Sequence, residues 1–150
     1  MKQFILSLTI LMASILSVQA QTSEDVFVKI ENLLNKAQGQ KHKGSVLMLK
    51  KYIKVMHQTF SRNLVSISNG DGYHKDYTNI DWSSISYSKD KLFANDKLLT
   101  LTITLKQKCN ENAFDNNGDV YSSRNTDYIY LYVLEKDFDA FEKLYHENWR

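Results

Sequence analysis

The stretch "LLTLTITLKQKC" (residues 98–109) carries the clearest strand pattern in this chain and decides its fold. Apolar and polar side chains alternate along it, and successive side chains of a β-strand point to opposite faces of the sheet. One face carries Leu99, Leu101, Ile103 and Leu105, and the other carries Thr100, Thr102, Thr104, Lys106 and Lys108. This pattern predicts a strand in a sheet with one buried and one exposed face.

Three further segments show the same alternation. They are "RNLVSIS" (62–68), "IDWSSISYS" (80–88) and "DYIYLYVL" (127–134). The residues of "NGDG" (69–72) tolerate the positive φ angles of tight turns, and strands joined by short turns pair antiparallel. The sequence therefore predicts an antiparallel sheet of about four strands.

Helical spacing of apolar residues predicts helices on both sides of these strands. The first helix has Thr22 or Ser23 as its N-cap, acidic residues in its first turn and Gly39 as its stop. A second helix is predicted over 44–60, with a strand in the same segment as the alternative. The last helix begins near Asp137. The predicted class is α+β, with the N-terminal helix or helices and the C-terminal helix packed on one face of the sheet.

The first twenty residues have the features of a secretory signal peptide. Lys2 precedes the apolar run "FILSLTILMASILSV" (4–18), which is shorter than the ~20 apolar residues that span a bilayer. Small residues at Val18 and Ala20 predict cleavage between Ala20 and Gln21. We therefore expect residues 21–150 to form a single soluble domain in a periplasm or outside the cell, with no transmembrane segment after cleavage.

The composition narrows the function classes. The chain has no proline, one cysteine and a net charge of +2. A lone cysteine excludes an intramolecular disulfide, and we interpret Cys109 as a small apolar residue at a strand end. Nucleic acid is not an expected partner of an exported chain with this near-balanced charge. The abundance of Lys, Asn, Ile and Tyr suggests a secreted bacterial protein.

Hydroxyl side chains collect on the side of the predicted sheet that faces away from the core. The members are Ser66, Ser68, Ser84, Ser86, Thr100, Thr102, Thr104, Tyr128, Tyr130 and Tyr132. Trp82 is expected near the rim of the second predicted strand, as a stacking platform. Such a face suits a glycan, a peptide or a protein partner. A solvated scaffold is the alternative, because Thr and Tyr also favour strands without any ligand.

The segment "DNNGD" (115–119) resembles the start of a calcium-binding loop. Asp115, Asn117 and Asp119 take alternate positions, but Val120 and Thr126 stand where an EF-hand needs Gly and Glu. An EF-hand is therefore excluded. An irregular calcium site at these three residues and an ordinary polar loop over 110–126 are the two interpretations.

The leading functional hypothesis is an exported, non-catalytic binding module that uses the hydroxyl-rich sheet face. One alternative is a secreted or periplasmic hydrolase that draws His74 or His146 and acidic residues from separate elements. Another is a structural subunit of a cell-envelope assembly. The sequence contains no Gly-rich phosphate loop, no nucleophile elbow and no zinc motif, and no cofactor is expected.

Overall fold

The computed structural model describes residues 24–43, 52–70, 72, 74–92 and 95–149. A helix over residues 24–35 (α1) precedes the strands, and α2 (Phe138–Asn148) follows them after a 3-10 turn at Glu135–Asp137. The strands are β1 (Lys41–Lys43), β2 (Tyr52–Phe60), β3 (Leu64–Asn69), β4 (His74–Thr78), β5 (Ile85–Leu92), β6 (Asn95–Phe114) and β7 (Val120–Leu134). The predicted signal peptide, the Thr22 and Ser23 caps and residues 44–51 lie outside the described residues.

The fold is α+β, as predicted, but the curled antiparallel sheet has seven strands among the described residues rather than about four. Its order is β1-β2-β3-β4-β6-β5, and β7 pairs with β6 as well. The long β6 is the centre of the sheet, because β5 pairs with its first half, β4 with its last residues and β7 with most of its length. β1 and β4 were not predicted from the sequence, because both are short and polar.

The helix predicted over 44–60 is wrong for its described part, which is strand β2. A β-bulge shifts the register between Val55 and Gln58, so that Val55, Gln58 and Phe60 are the buried positions. The apolar residues whose spacing indicated a helix include Ile53 and Met56, which are only half-buried in the strand, whereas the polar Gln58 is fully buried. The sequence pattern alone therefore favoured the wrong element.

The polar loop predicted over 110–126 is also wrong, because β6 continues to Phe114 and β7 begins at Val120. Glu111 is buried in this polar hairpin together with Ala113 and Thr126, and its carboxylate pairs with Lys75 Nζ at 2.8 Å and with Arg124 Nε at 3.1 Å. Burial raises the pKa of Glu111, but hydrogen bonds and charge from Lys75 and Arg124 outweigh it and hold that pKa below its usual range. A buried ion pair thus replaces the apolar residue that a strand pattern requires.

The main core lies between the helices and the apolar side of β6 and β7, as the alternation predicted. Leu101, Ile103, Ile129 and Leu131 are fully buried there. From the helices, the core receives Val26, Phe27, Ile30, Leu34, Phe138 and Phe141. Cys109 is buried in the same core, and burial raises the pKa of its thiol, which keeps it protonated. A protonated, buried thiol agrees with the interpretation of Cys109 as a small apolar residue.

The sheet curls until β2 approaches the outer edge of β7, where a side chain takes the place of a neighbouring strand. The buried Gln58 amide donates to Tyr132 O at 2.9 Å and accepts from Tyr132 N at 2.7 Å. The side-chain amide of Asn35 in α1 likewise donates to Gln58 O at 2.8 Å and accepts from Gln58 N at 2.9 Å. These two pairs of hydrogen bonds join α1, β2 and β7. They stabilise the curvature of the sheet, whose opposite face points away from the core.

Candidate functional site

The predicted hydroxyl side chains of β5, β6 and β7 form adjacent rows across three paired strands. The rows are Ser86–Thr104–Tyr128, Ser88–Thr102–Tyr130 and Asp90–Thr100–Tyr132. We call the eight hydroxyl-bearing residues of these rows the hydroxyl face: Ser86, Ser88, Thr100, Thr102, Thr104, Tyr128, Tyr130 and Tyr132. The apolar alternation fixes this arrangement, because a slip of one residue would bring the hydroxyls into the core.

Two rows of the hydroxyl face are open, and the third is partly covered. Tyr128 is 43% exposed and Tyr130 is 45% exposed, whereas Tyr132 is half-buried. The Tyr132 ring lies 4.9 Å from the ring of His42, and it packs against Leu98 and Leu134. Tyr132, a predicted ligand-binding residue, therefore lies where the segment after α1 folds over the sheet. The accessible surface consists of the two rows that end in Tyr128 and Tyr130.

The open rows offer unused hydrogen-bonding groups and carry no charge. Among the described residues, the side-chain hydroxyls of Thr102, Thr104 and Tyr130 have no hydrogen-bond partner within the protein. Each hydroxyl donates one hydrogen bond and accepts others, so the rows present mixed donors and acceptors beside two tyrosine rings. Asp90 borders this surface in the third row, and the exposed Lys106 follows Thr104 along β6.

The serines predicted for the same face from β3 lie elsewhere on the sheet. Ser66 belongs to a row with Asp76, Asn112 and Ser123, which crosses the polar half of β6. Ser68 donates its hydroxyl to the backbone of His57. Ser84 precedes β5 and its carbonyl accepts the Lys106 amide. The strand order separates Ser66 and Ser68 from the threonines, whereas Ser84 lies next to the row of Ser86 and Thr104.

Trp82 is not brought to the hydroxyl face. Its ring lies 5.2 Å from Phe27 and 5.1 Å from Phe60, both of which are buried in the main core on the helix side of the sheet. Its indole nitrogen donates to Arg62 O at 2.8 Å. Trp82 comes before β5 begins, so strand alternation had no bearing on its direction. The ring of Trp149, at the end of α2, lies 6.1 Å from the Trp82 ring.

The predicted calcium residues lie in the five-residue turn between β6 and β7. Asp115 Oδ1 accepts the backbone amides of Asn117 at 2.8 Å and Asp119 at 3.0 Å. Gly118 has a φ of +87°, as such a turn requires. One carboxylate oxygen of Asp115 thus holds the turn together. Among the described residues no three His, Cys, Asp or Glu side chains converge, and the irregular calcium site stays a prediction that a calcium titration reversed by EDTA tests.

His74 lies near an acidic residue at the far end of the sheet. Its Nε2 is 3.0 Å from Asp76 Oδ1, and its ring lies 5.0 Å from Phe114. Both residues border a wide depression of about 790 Å³ between the β3–β4 and β6–β7 turns. Gly72 allows these turns to touch, since a Cβ there would stand 1.5 Å from Asn116 Oδ1. The second histidine of the hydrolase hypothesis, His146, is exposed on α2 and does not border this depression.

No protein-family model, curated protein or solved structure matches this chain. In the described part of the chain, every helix is too short or too polar to cross a membrane.

Proposed function

We propose that this chain is an exported, non-catalytic binding module that holds a neutral glycan chain on its hydroxyl face. The observation that carries the proposal is the pair of open rows, in which uncharged Ser and Thr hydroxyls lie beside the half-exposed Tyr128 and Tyr130. The apolar ring of tyrosine stacks against the C–H face of a sugar, and hydroxyls both donate to and accept from sugar hydroxyls. Export rests on the signal-peptide features of residues 1–20.

The shape and charge of the surface favour a glycan over the other partners. Peptides that bind a sheet usually add a strand to its edge, whereas these side chains project from a face. The core of a protein interface is usually more apolar than rows of Ser and Thr. An acidic glycan would need a basic surface, and the two open rows carry no charged side chain. A neutral polysaccharide can form hydrogen bonds with the Ser and Thr hydroxyls and stack on the Tyr rings of these rows.

A thermal-shift scan of the purified protein tests this proposal. The panel contains soluble neutral polysaccharides, acidic polysaccharides, cell-wall fragments and peptides. A ligand that binds only the folded state adds about 2.7 kcal/mol of stability at one hundred times its dissociation constant. We expect a rise in melting temperature with at least one neutral glycan. A rise with peptides alone, or no rise with any glycan, would overturn the proposal.

A hydrolase is the second candidate, and the contact between His74 and Asp76 at the edge of a wide depression favours it. A histidine beside a carboxylate can act as a general base towards water. If this candidate is right, the protein cleaves cell-wall or peptide substrates and His74→Ala loses that activity. The variant His146→Ala is the control, because His146 does not border the depression. Absence of cleavage by the wild-type protein would remove this candidate.

A further inference from the structure

A small cavity on the helix side of the sheet contains both tryptophans of the chain. It has a volume of about 370 Å³ and lies where α1, the end of α2 and the segment before β5 meet. Phe27, Trp82 and Trp149 supply its aromatic wall. This volume falls at the lower end of the range for small-molecule sites, so the cavity suits a single ring rather than an extended chain.

The aromatic wall is held in place by a hydrogen bond and by contacts between rings. The Trp82 ring is fixed by its hydrogen bond to Arg62 O at 2.8 Å and by edge contacts with Phe27 and Phe60. Trp149 stacks on Tyr145 with ring centroids 6.2 Å apart, and it meets Phe27 edge-on at 5.8 Å. Both indoles are only partly buried. A ligand would therefore find two indole surfaces that need no rearrangement before it stacks.

The rim of the cavity is polar and includes both donors and acceptors. Arg62, Asp81, Ser83 and Asn148 line it together with the tryptophans. The Ser83 amide donates to Asp81 Oδ1 at 2.9 Å, which orients the carboxylate. Hydrogen bonds from the Ser83 side chain and backbone hold the pKa of Asp81 below its usual range, so Asp81 stays an acceptor at neutral pH.

We propose that this cavity, the tryptophan pocket, binds one pyranose ring of a neutral sugar. The C–H face of the ring stacks on Trp82 and Trp149, and its hydroxyls donate to the Asp81 carboxylate and bond the Asn148 amide. A purely apolar ligand would strip water from the polar rim without replacing those hydrogen bonds. One acidic and one basic residue, Asp81 and Arg62, line the rim, so its charges favour neither an anionic nor a cationic ligand. The tryptophan pocket lies on the opposite side of the sheet from the hydroxyl face, and its ligand does not depend on that surface.

Tryptophan fluorescence of the purified protein tests this proposal directly. The chain has two tryptophans and both line the cavity, whereas the hydroxyl face contains none. Binding in the tryptophan pocket therefore changes the emission, and binding at the hydroxyl face does not. Glucose, galactose, mannose and N-acetylglucosamine are the probes. We expect a saturable change with at least one of them, with a dissociation constant on the order of 1 mM.

Two variants separate the pocket from a general effect of sugar on the protein. Asp81→Asn keeps the shape of the side chain but removes its charge, and we expect it to weaken the fluorescence-detected affinity about tenfold, as for a lost hydrogen bond to a charged group. Asp139→Asn removes an exposed charge from α2 outside the cavity and leaves the affinity unchanged. No saturable change with any of the four sugars would overturn the proposal. An equal response from wild type and Asp81→Asn would overturn it too.

Discussion

At the scale of single residues, Gln58 joins three elements. Its buried amide bonds Leu34 O at 3.1 Å and both backbone groups of Tyr132. Gln58→Met keeps the size of the side chain but leaves these buried groups without partners, so we expect the free energy of unfolding to fall by about 1–3 kcal/mol. Urea denaturation measures this loss. The amide proton of Tyr132 should also exchange faster in the variant.

The matched control for Gln58 is Gln107→Met, at an exposed position of β6. We expect its free energy of unfolding to change by less than about 0.5 kcal/mol. Equal losses from the two variants would mean that Gln58 does not bridge β2 and β7 in the way described.

Glu111 makes stability depend on pH in the acid range. The folded pKa of Glu111 lies below its usual value, so its ion pairs stabilise the protein above the unfolded pKa of about 4.3. That stabilisation is lost as the pH falls through the folded pKa. We expect Glu111→Gln to be less stable than wild type at pH 7 and the difference to shrink below about pH 4. Urea midpoints measured across this range, with the exposed Glu147→Gln as control, test it; a difference independent of pH would contradict it.

At the scale of elements, α1 serves the uncovered edge of β2 as a neighbouring strand would. The Asn35 side-chain amide donates to Gln58 O and accepts from Gln58 N. Glu31 Oε2 accepts a hydrogen bond from the Phe60 amide at 2.7 Å. Asn35→Asp keeps the acceptor but loses the donor to Gln58 O. We expect the variant to lose about 1–3 kcal/mol of stability by chemical denaturation. The exposed Asn125→Asp on β7 should lose almost none, and similar losses from both would contradict this role of α1.

The elements also show which parts of the fold and the site the sequence predicts. Strict alternation along 99–105 and 128–133 led to the correct rows of Thr and Tyr, because in these strands burial alone decides the side on which each residue lies. Helical spacing in 24–35 and 138–148 was equally informative, since each helix buries one apolar side in the core.

The parts of the fold and the site that were predicted wrongly from the sequence have particular physical causes. In β2 a bulge breaks the two-residue period between Val55 and Gln58. In the polar hairpin, burial of Glu111 is possible because Lys75 and Arg124, on other strands, pair with its carboxylate. The sequence around Glu111 gives no sign of these partners. Trp82 lies before β5, so its direction is set by contacts with Phe27 and Phe60 that are distant in sequence.

At the scale of the whole molecule, the two faces of the sheet differ in what covers them. Both helices pack on the apolar face, while among the described residues the hydroxyl face is covered where His42 packs on Tyr132. Tyr128 and Tyr130 thus keep nearly half of their surface exposed on a rigid three-stranded platform. Rigid, exposed tyrosines bind a ligand with little loss of conformational entropy.

The central claim is that this face binds a neutral glycan, and calorimetric titration of three proteins with a neutral polysaccharide tests it most directly. The three are wild type, Tyr130→Ala and Tyr121→Ala, which removes a tyrosine that is 60% exposed on the same strand but outside the rows. We expect Tyr130→Ala to raise the dissociation constant about tenfold and to cost less than about 1 kcal/mol of stability. Tyr121→Ala should bind like wild type. An unchanged dissociation constant for Tyr130→Ala, or an equal loss for both variants, would contradict the account.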